Sequence, residues 1–284
     1  MYLSEVYGRG GIYAKCVDAS ENGGPPIYTF EVRAPKFIDA EMCKHRMLSA
    51  NSSSSRAIPN TKLRETVFDE PYIPFDLRKN QKGMQGYEEV DLLNREQFKS
   101  DILTLLNNVI GVHAKHSTIV HKQHLNRYLE PWSFQTKVIT GTEWDNFFDL
   151  RLAENAQPEI QEVARCIKEA MVTPVKKSFH APYVTFDGDS DSMIRQSVAR
   201  CARTSYRTFD MKDSTLEEDS KLYDFLLKHK HMSPFEHVAF AMEEDVLNWT
   251  AIPGITHLDC YGRLWSGNFH GWISHRQLIS HWNI

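Results

Sequence analysis

The chain lacks the features of a membrane protein and of a disulfide-stabilised secreted protein. No apolar run among its 284 residues approaches the length of a bilayer crossing, and its N-terminus lacks the apolar segment of a secretion signal. The cysteines are few and dispersed, without a Cys-X-X-Cys pair, as is typical of reduced thiols and not of a disulfide framework or a zinc site. We therefore expect a cytoplasmic protein (the host cytoplasm for a viral chain) that makes no membrane contact. The five cysteines are Cys16, Cys43, Cys166, Cys201 and Cys260.

The chain also lacks an excess of positive charge. Its 33 lysines and arginines are outnumbered by 37 aspartates and glutamates, which argues against a general nucleic-acid-binding surface. Hydrophobic residues make up 41% of the sequence, enough for one large domain or two small ones. We expect a single domain over residues 1–284.

A basic and hydroxyl-rich stretch follows the first clear strand pattern. Residues 28–35 alternate between apolar and polar side chains and predict a strand, and residues 37–46 predict a short helix. The helix ends in Lys44, His45 and Arg46, and a serine-rich loop closed by Arg56 follows it. Read alone, the stretch suits either a polar linker or a site for a dianion such as phosphate.

This stretch resembles the signature of the flavin-dependent thymidylate synthases, which is Arg-His-Arg, seven residues and then Ser. Three positions depart from the pattern: Lys44 replaces the first Arg, Glu41 a Gln, and Ser52 a Glu. The positions that match are His45, Arg46, Asn51, Ser54 and Arg56.

Two later stretches resemble the same family. Departures in or near them are Thr140 and Thr142, where the family often carries Asn and Arg, and Asn155, where it carries His. The first stretch matches at Arg127, Pro131, Asn146, Phe147, Leu150, Arg151, Ala156, Gln157, Glu159 and Ile160. The second matches at Ala202, Arg203, Ser205, Tyr206, His231 and the string Ser233 to His237.

The order of these blocks differs from the order in the family. There the Ser-Pro-Phe-Glu-His block comes first and the Arg-His-Arg block follows it, whereas here the first lies near the C-terminus and the second near the N-terminus. A phage-like circular permutation accounts for this order, since chain termini of domains often lie close together. Residues 269–276 weakly repeat the His-Arg pair, although a simple C-terminal helix is the preferred interpretation.

The resemblance implies an α+β fold, in which helices cover an antiparallel-rich sheet. It implies an FAD-dependent thymidylate synthase that methylates C5 of dUMP with methylenetetrahydrofolate and NADPH, as a homotetramer and without a catalytic thiol. Catalytic roles are implied for Arg151 and Ser54. Substrate contacts are implied for Glu41, Lys44, Ser52, Ser53, Ser54, Ser55, Arg56, Arg127 and Arg151. Cofactor contacts are implied for Lys44, His45, Arg46, Asn146, Ser205, His231, Ser233, Glu236 and His237.

Two alternatives stay open. A carboxylate at Glu41 can accept a hydrogen bond from an exocyclic amine, so the substrate of a methylase or hydroxymethylase could be dCMP. The departures from the family pattern also allow a non-catalytic nucleotide- or flavin-binding relative.

Other segments carry further expectations. Residues 94–125 predict a helix with four histidines (His113, His116, His121 and His124) whose spacing makes a metal site conceivable, but no cysteine or carboxylate accompanies them and we expect no metal. Residues 57–90 predict an irregular ordered loop over the site. One helix is predicted over residues 144–173. Cys43 could be a nucleophile, but a helix-packing thiol is the preferred interpretation.

Overall fold

A six-stranded, mainly antiparallel sheet is the centre of the part of the chain that the computed structural model describes. That part comprises residues 2–83, 85–185, 189–203, 214–242, 257–258 and 263–282. The path through the sheet is β1-β2-β3-β5-β4, with β6 pairing parallel to β2. The strands are β1 (Ser4–Tyr7), β2 (Tyr13–Glu21), β3 (Ile27–Pro35), β4 (Ser49–Ser52), β5 (Phe134–Gly141) and β6 (Val175–Lys176).

A smaller sheet and several helices complete the described fold. Strands β7 (Phe179–His180), β8 (Ala239–Ala241) and β11 (Trp272–Ser274) form a three-stranded sheet in the order β11-β8-β7, and β9 (His257–Leu258) pairs with β10 (Leu264–Trp265). The helices are α1 (Asp39–Met42), α2 (Asn60–Asp69), α3 (Leu92–His116), α4 (Lys122–Leu125), α5 (Asp145–Arg151), α6 (Pro158–Ala170), α7 (Ser190–Ala202), α8 (Leu216–Lys228) and α9 (His275–Trp282).

The main core lies between one face of the large sheet and helices α5 and α6. Phe30 and Val32 of β3 and Ile139 of β5 project into it, because every second residue of a strand faces the same side. Helix α6 contributes Ile160 and Val163, both fully buried. This arrangement confirms the expected α+β class with helices on an antiparallel-rich sheet.

A bulge in β2 changes which residues share a face. Cys16 pairs with Phe30 and Asp18 pairs with Thr29, so Val17 is an extra residue in β2. Ala14, Cys16 and Ala19 belong to the core under α6, whereas Val17 joins a separate cluster. Asp18 and Ser20 also face away from α6, and both contact His180. The bulge therefore allows two successive residues on the face opposite α6.

Four predicted segments have different bounds in the structure. Residues 37–46 form only a 3-10 turn and the single-turn α1, and 94–125 form α3 and α4 with a break at Ser117–His121. Residues 57–90 contain α2, whose buried Leu63 and Val67 pack near α3. The prediction of a wholly irregular loop over these residues was therefore wrong. The helix predicted over residues 144–173 is two helices, because α5 ends at Arg151 and α6 begins at Pro158.

Two expectations bear on other classes of site. Within the described residues, no helix combines the length and apolarity that a membrane crossing requires. No group of three or more histidine, cysteine or acidic side chains placed to hold a metal ion occurs in the same residues.

Candidate active site

Arg151 ends α5 and is fixed by residues of the basic stretch. Its Nε–H donates to Nε2 of His45 at 2.8 Å, Nη1 donates to Oε2 of Glu41 at 3.1 Å, and Nη2 donates to the Glu41 backbone oxygen at 3.1 Å. The arginine side chain is only 16% exposed. These bonds use three of the five N–H groups of a guanidinium, so the planar group has one orientation and two N–H groups remain for another partner.

Aromatic packing explains why Arg151 reaches this position. Phe147 and Phe148 are buried in the main core, so the helix that they anchor places Arg151 about one turn further on. The ring of His45 packs edge-on against Phe147, with centroids 4.9 Å apart. Two predicted site residues that are 106 positions apart in the sequence are thus brought together.

His45 is a neutral hydrogen-bond acceptor in this cluster. Its burial, and secondarily the positive charge of Arg151, lower the pKa of the imidazole. Because Nε2 accepts from Arg151, the ring proton is on Nδ1. The cluster therefore holds one cationic group, the guanidinium, beside the Glu41 carboxylate.

The serine-rich stretch begins as a strand. Ser49–Ser52 form β4, which pairs with β5, and Ser53 continues this pairing by donating its N–H to the oxygen of Thr136 at 2.9 Å. The predicted loop therefore begins two residues later than Ser52. The Ser52 hydroxyl donates to Asp39 at 3.4 Å, so it is already engaged within the sheet region.

The loop after β4 meets the turn that carries Arg127. Ser55 is buried, and its hydroxyl donates to Oε1 of Glu130 at 2.5 Å. Nη1 of Arg127 donates to the same oxygen at 2.8 Å. Ser54 is partly exposed and Arg56 is exposed. The Ser55 hydroxyl, Arg127 and Glu130 thus meet at one junction. We call Ser55 and Arg127, together with the neighbouring loop residues Ser54 and Arg56, the anion cradle.

Asn126 holds this loop in place. Its Nδ2 donates to the backbone oxygens of Ser55 at 2.8 Å and Ile58 at 2.9 Å, and its Oδ1 lies 3.1 Å from Nε2 of His113. Asn126 is fully buried and His113 is 1% exposed. The four histidines of this region therefore do not act as a set, because one of them supports the loop from inside the fold while His121 and His124 are exposed.

The Ser-Pro-Phe-Glu-His string lies against β4. Residues Ser233–Glu236 form a 3-10 turn, and the Ser233 hydroxyl donates to Oδ1 of Asn51 at 3.1 Å. Glu236 pairs with Arg276 of α9. A cavity of about 200 Å³ opens between Ser49, Glu236 and the segment Ser266–Gln277. The first and last family-like blocks, 182 residues apart at this contact, are therefore neighbours in space.

His237 ends a buried chain of hydrogen bonds between the two sheets. His180 Nε2 lies 2.7 Å from the Thr29 hydroxyl, which lies 2.6 Å from the Thr140 hydroxyl, which lies 2.8 Å from Nδ1 of His237. At the other end, Asp18 lies 3.2 Å from Nδ1 of His180. We call these five residues the histidine chain.

The two ends of the histidine chain differ. At one end the Ser20 hydroxyl lies 2.7 Å from Nδ1 of His180, beside Asp18, and the Lys177 ammonium and the Ala181 N–H outweigh burial and lower the pKa of the Asp18 carboxyl. At the other end, Nε2 of His237 has no hydrogen-bond partner among the described residues. Burial lowers the pKa of His180 to about 4 and that of His237 to about 3.

Two exposed cations flank His45. Lys44 and Arg46 are exposed, and neither pairs with a carboxylate in the described part of the chain, so both cations are available to phosphate groups. Asn146 and His231 are also exposed, and their side chains make no hydrogen bond to this group in the described residues. His237, in contrast, is fully buried. Ser205 and Tyr206 lie outside the described residues.

Cys43 differs from its expected environment. The thiol is exposed, so it is not a packing thiol, and its Sγ lies 3.5 Å from Nζ of the buried Lys137. That ammonium also pairs with Asp39, which holds it within the sheet.

Sequence reasoning missed two residues of the site region, Asn126 and Glu130, and it noted Arg276 only as part of a weak His-Arg repeat. Glu130 is three residues after Arg127, a spacing that brings side chains together on a helical turn and could have indicated the pair. No local pattern indicates that Asn126 meets Ser55 or that Arg276 meets Glu236, because both contacts join distant segments.

Comparisons with known proteins give consistent matches. The sequence profile of the family described as "Thymidylate synthase complementing protein" matches residues 26–175 and 190–247. The flavin-dependent thymidylate synthase of Aquifex aeolicus (strain VF5) is 30% identical over 150 residues, which are 50% of this chain and 44% of that protein. The enzyme of the same name from Thermosipho africanus (strain TCF52B) is 31% identical over 149 residues, 49% of this chain and 60% of that protein. The chain thus spans about half the length of these curated relatives.

Solved structures of a UMP/dUMP methylase, PolB from Streptomyces cacaoi, are also similar. The structure bound with 5-Br UMP has a TM-score of 0.47 and 16% identity, over 58% of this chain and 90% of that chain. The structure bound with 5-Br dUMP has a TM-score of 0.48 and 17% identity, over 58% and 92%.

Proposed function

Because the chain belongs to the thymidylate synthase complementing protein family, we propose that it is an FAD-dependent thymidylate synthase. The reaction is the reductive C5 methylation of dUMP to dTMP, with methylenetetrahydrofolate as the one-carbon donor and NADPH as the reductant. We place the enzyme in the cytoplasm as a homotetramer.

The fixed guanidinium of Arg151 is the observation that carries the proposal. Uracil C5 is a poor nucleophile until electrons are pushed toward it, and a cation at the edge of the base favours ionisation at N3. Two N–H groups of Arg151 remain for such an edge, and its orientation is set beforehand by His45 and Glu41. Since His45 is neutral, the guanidinium is the cation of this cluster that would face the developing charge.

The anion cradle is the proposed seat of the nucleotide phosphate. Hydroxyl and guanidinium groups both donate to phosphate oxygens, and arginine can do so in a bidentate manner. The two hydrogen bonds that the buried Asn126 donates to the loop backbone, which we call the Asn126 clamp, hold the loop in place when no phosphate is bound. Ser52 and Ser53 belong to or adjoin β4, and their contact with nucleotide stays a prediction.

Lys44, Arg46, Ser233 and Glu236 are the residues that we propose hold FAD. Bound FAD supplies hydride for the base and carries the one-carbon unit. Asn51 links the two halves of this set by accepting from Ser233 while its Nδ2 donates to the backbone oxygen of Cys201 at 3.0 Å. Contacts of FAD with His45, Asn146, His231 and His237 stay predictions, and for His237 we propose a positioning role from inside the fold.

The contact between Asn51 and Ser233 also supports the proposed circular permutation. Blocks that follow each other in the family are far apart in this sequence, yet a strand and a turn bring them together here.

Glu41 motivates one alternative substrate. Its Oε2 accepts from Arg151, and a carboxylate at this place can also accept from an exocyclic amine, which cytosine carries and uracil lacks. The alternative function is therefore C5 methylation or hydroxymethylation of dCMP.

Two measurements test the proposal. The purified protein should show flavin absorbance or take up added FAD. Mass spectrometry of reactions with dUMP and with dCMP should show a product from dUMP that is about 14 mass units heavier, the mass of one methylene group. A product from dCMP alone would select the alternative. A protein that remains colourless with added FAD, and that yields no product from either nucleotide, would overturn the proposed function.

A further inference from the structure

One carboxylate oxygen accepts hydrogen bonds from two donors of the anion cradle. Oε1 of Glu130 accepts both from the buried Ser55 hydroxyl and from Nη1 of Arg127. The Glu130 side chain is 21% exposed and that of Arg127 is 49% exposed. A carboxylate oxygen that accepts from a hydroxyl and a guanidinium has the same partners that a phosphate oxygen would take.

We propose that Glu130 is an internal competitor that a ligand phosphate must displace from Ser55 and Arg127. The inference rests on the proposed function only in taking the cradle as the phosphate site. Glu130 thereby becomes a specificity-determining residue, because a ligand without an anionic group cannot replace it on these two donors.

The local geometry allows such an exchange. Glu130 and Arg127 lie three residues apart on one 3-10 turn, Asn126–Trp132, so their pairing needs no distant element. Ser55, in contrast, is held by the Asn126 clamp on its backbone oxygen, which is independent of its hydroxyl. Rotation of the Glu130 side chain would therefore free both donors while the loop and the turn stay in place.

Charge makes the competition measurable. With the carboxylate close to a bound dianion, the two repel each other, and the ligand also loses the donors that Glu130 holds. Removal of one negative charge at this range is expected to tighten anion binding by about fivefold at low ionic strength. A phosphate-free ligand should not respond.

The test measures binding of inorganic phosphate, dUMP and deoxyuridine by calorimetry in wild type and in Glu130→Gln. The matched control is Glu96→Gln, which removes the same charge from an exposed position on α3. We expect Glu130→Gln to bind phosphate and dUMP about fivefold tighter than wild type and to bind deoxyuridine equally. Glu96→Gln should match wild type for all three ligands.

Several outcomes would overturn the inference. Equal or weaker anion binding by Glu130→Gln, an equal gain in Glu96→Gln, or absence of phosphate binding in every variant would each do so. Glu130→Ala serves as the second variant if thermal melts show that the glutamine variant does not fold. Failure of the proposed function is distinguishable, because then wild type and Glu130→Gln bind phosphate differently but neither binds dUMP more tightly than phosphate.

Discussion

The histidine chain and the two arginine sites are both polar networks, but they are satisfied in opposite ways. From Thr29 to His237 the histidine chain is enclosed between two sheets, and it takes its bonds from side chains of four separate strands or turns. The Arg127 side chain is half-exposed, and rotation of Glu130 could release it. Arg151 is held by His45 and Glu41 and keeps two N–H groups for a ligand.

This difference separates stability from function. A buried hydrogen-bond partner cannot be exchanged without leaving an unsatisfied polar group, which costs about 1–3 kcal/mol. A half-exposed arginine can exchange a carboxylate for a ligand oxygen at little cost, since surface ion pairs are worth only about 0–1 kcal/mol. We therefore expect changes to the histidine chain to act on folding and changes to the arginines to act on turnover and binding.

The largest expected effect is the acid sensitivity of the histidine chain. The unfolded pKa of histidine is near 6.5, whereas the folded values are about 4 for His180 and about 3 for His237. The unfolded state therefore binds protons first, so this contribution to stability is complete above pH 6.5 and is lost as the pH falls from 6.5 toward 4. The loss by pH 4 should be about 3 kcal/mol per ring.

Urea unfolding at pH 7.5, 6, 5 and 4.5 measures this loss. Asp18 and Lys177 are the charged groups that act on His180, and His180 is the titratable group that acts on His237. The variant His180→Gln removes one of the two rings, so its free energy of unfolding should vary less with pH. A pH-independent free energy of unfolding between pH 7.5 and 4.5 would contradict the buried neutral state of both rings.

The next effect is on turnover. Arg151→Ala should lower kcat by about 10²-fold or more, because it removes an interaction that strengthens as charge develops on the base. The free energy of unfolding should fall by at most about 1–3 kcal/mol, because the buried His45 loses its partner, and steady-state kinetics with parallel thermal melts checks both values. The control is Arg95→Ala. Arg95 also pairs with a carboxylate, that of Glu89, but it lies on α3 and outside the proposed site. Near-normal kcat in Arg151→Ala would show that the role is assigned to the wrong residue.

A smaller effect is expected for Thr140→Val, which keeps the side-chain shape but removes the hydroxyl in the middle of the histidine chain. Thr29 and Nδ1 of His237 then lose a partner inside the fold, and the free energy of unfolding should fall by about 2 kcal/mol. Denaturant titration measures the change. Thr104→Val, on the exposed face of α3, should shift stability by less than about 0.5 kcal/mol. Equal losses in the two variants would remove the distinction between buried and exposed hydroxyls.

The smallest effect is expected for Cys43→Ser. The proposed flavin route does not require the exposed thiol, and a serine hydroxyl can take its place beside Lys137. We therefore expect kcat to stay within about twofold, and the free energy of unfolding within about 0.5 kcal/mol, of wild type. Product formation from dUMP checks the first value. A folded variant that binds flavin and nucleotide but forms no product would identify Cys43 as a nucleophile and end the thiol-free mechanism.

Local pattern predicted some parts of the fold well. Residues 28–35 alternate and lie within β3, as expected. Helix α2 was missed because Pro59 and Pro71 flank it and suggested irregular structure, although Pro59 only precedes its first turn. The break between α5 and α6 was missed because the amphipathic pattern continues across it.

The site was predicted residue by residue but not as a set of contacts. Sequence placed Arg151 and His45 in one site through the family resemblance, and the structure brings them together. It could not indicate that Glu130 would accept from Ser55, since that contact depends on how the loop after β4 packs against a distant turn. The histidine chain was missed for the same reason, because Asp18, Thr29, Thr140 and His180 have no sequence relation to one another.

The bulge at Val17 has a consequence for changes in chain length. Because Val17 and Asp18 face the same side of β2, deletion of Val17 would restore regular alternation while Asp18 and Ser20 still meet His180. Deletion of Lys15 would instead move the side chains on one side of the deletion to the opposite face of the sheet. Either the core residues or the histidine-chain residues of β2 would then face the wrong way. Homologues and engineered variants that differ in length within this strand should therefore differ at Val17, and a deletion scan of β2 should show its smallest loss of stability there, although Val17 also leaves a buried apolar cluster.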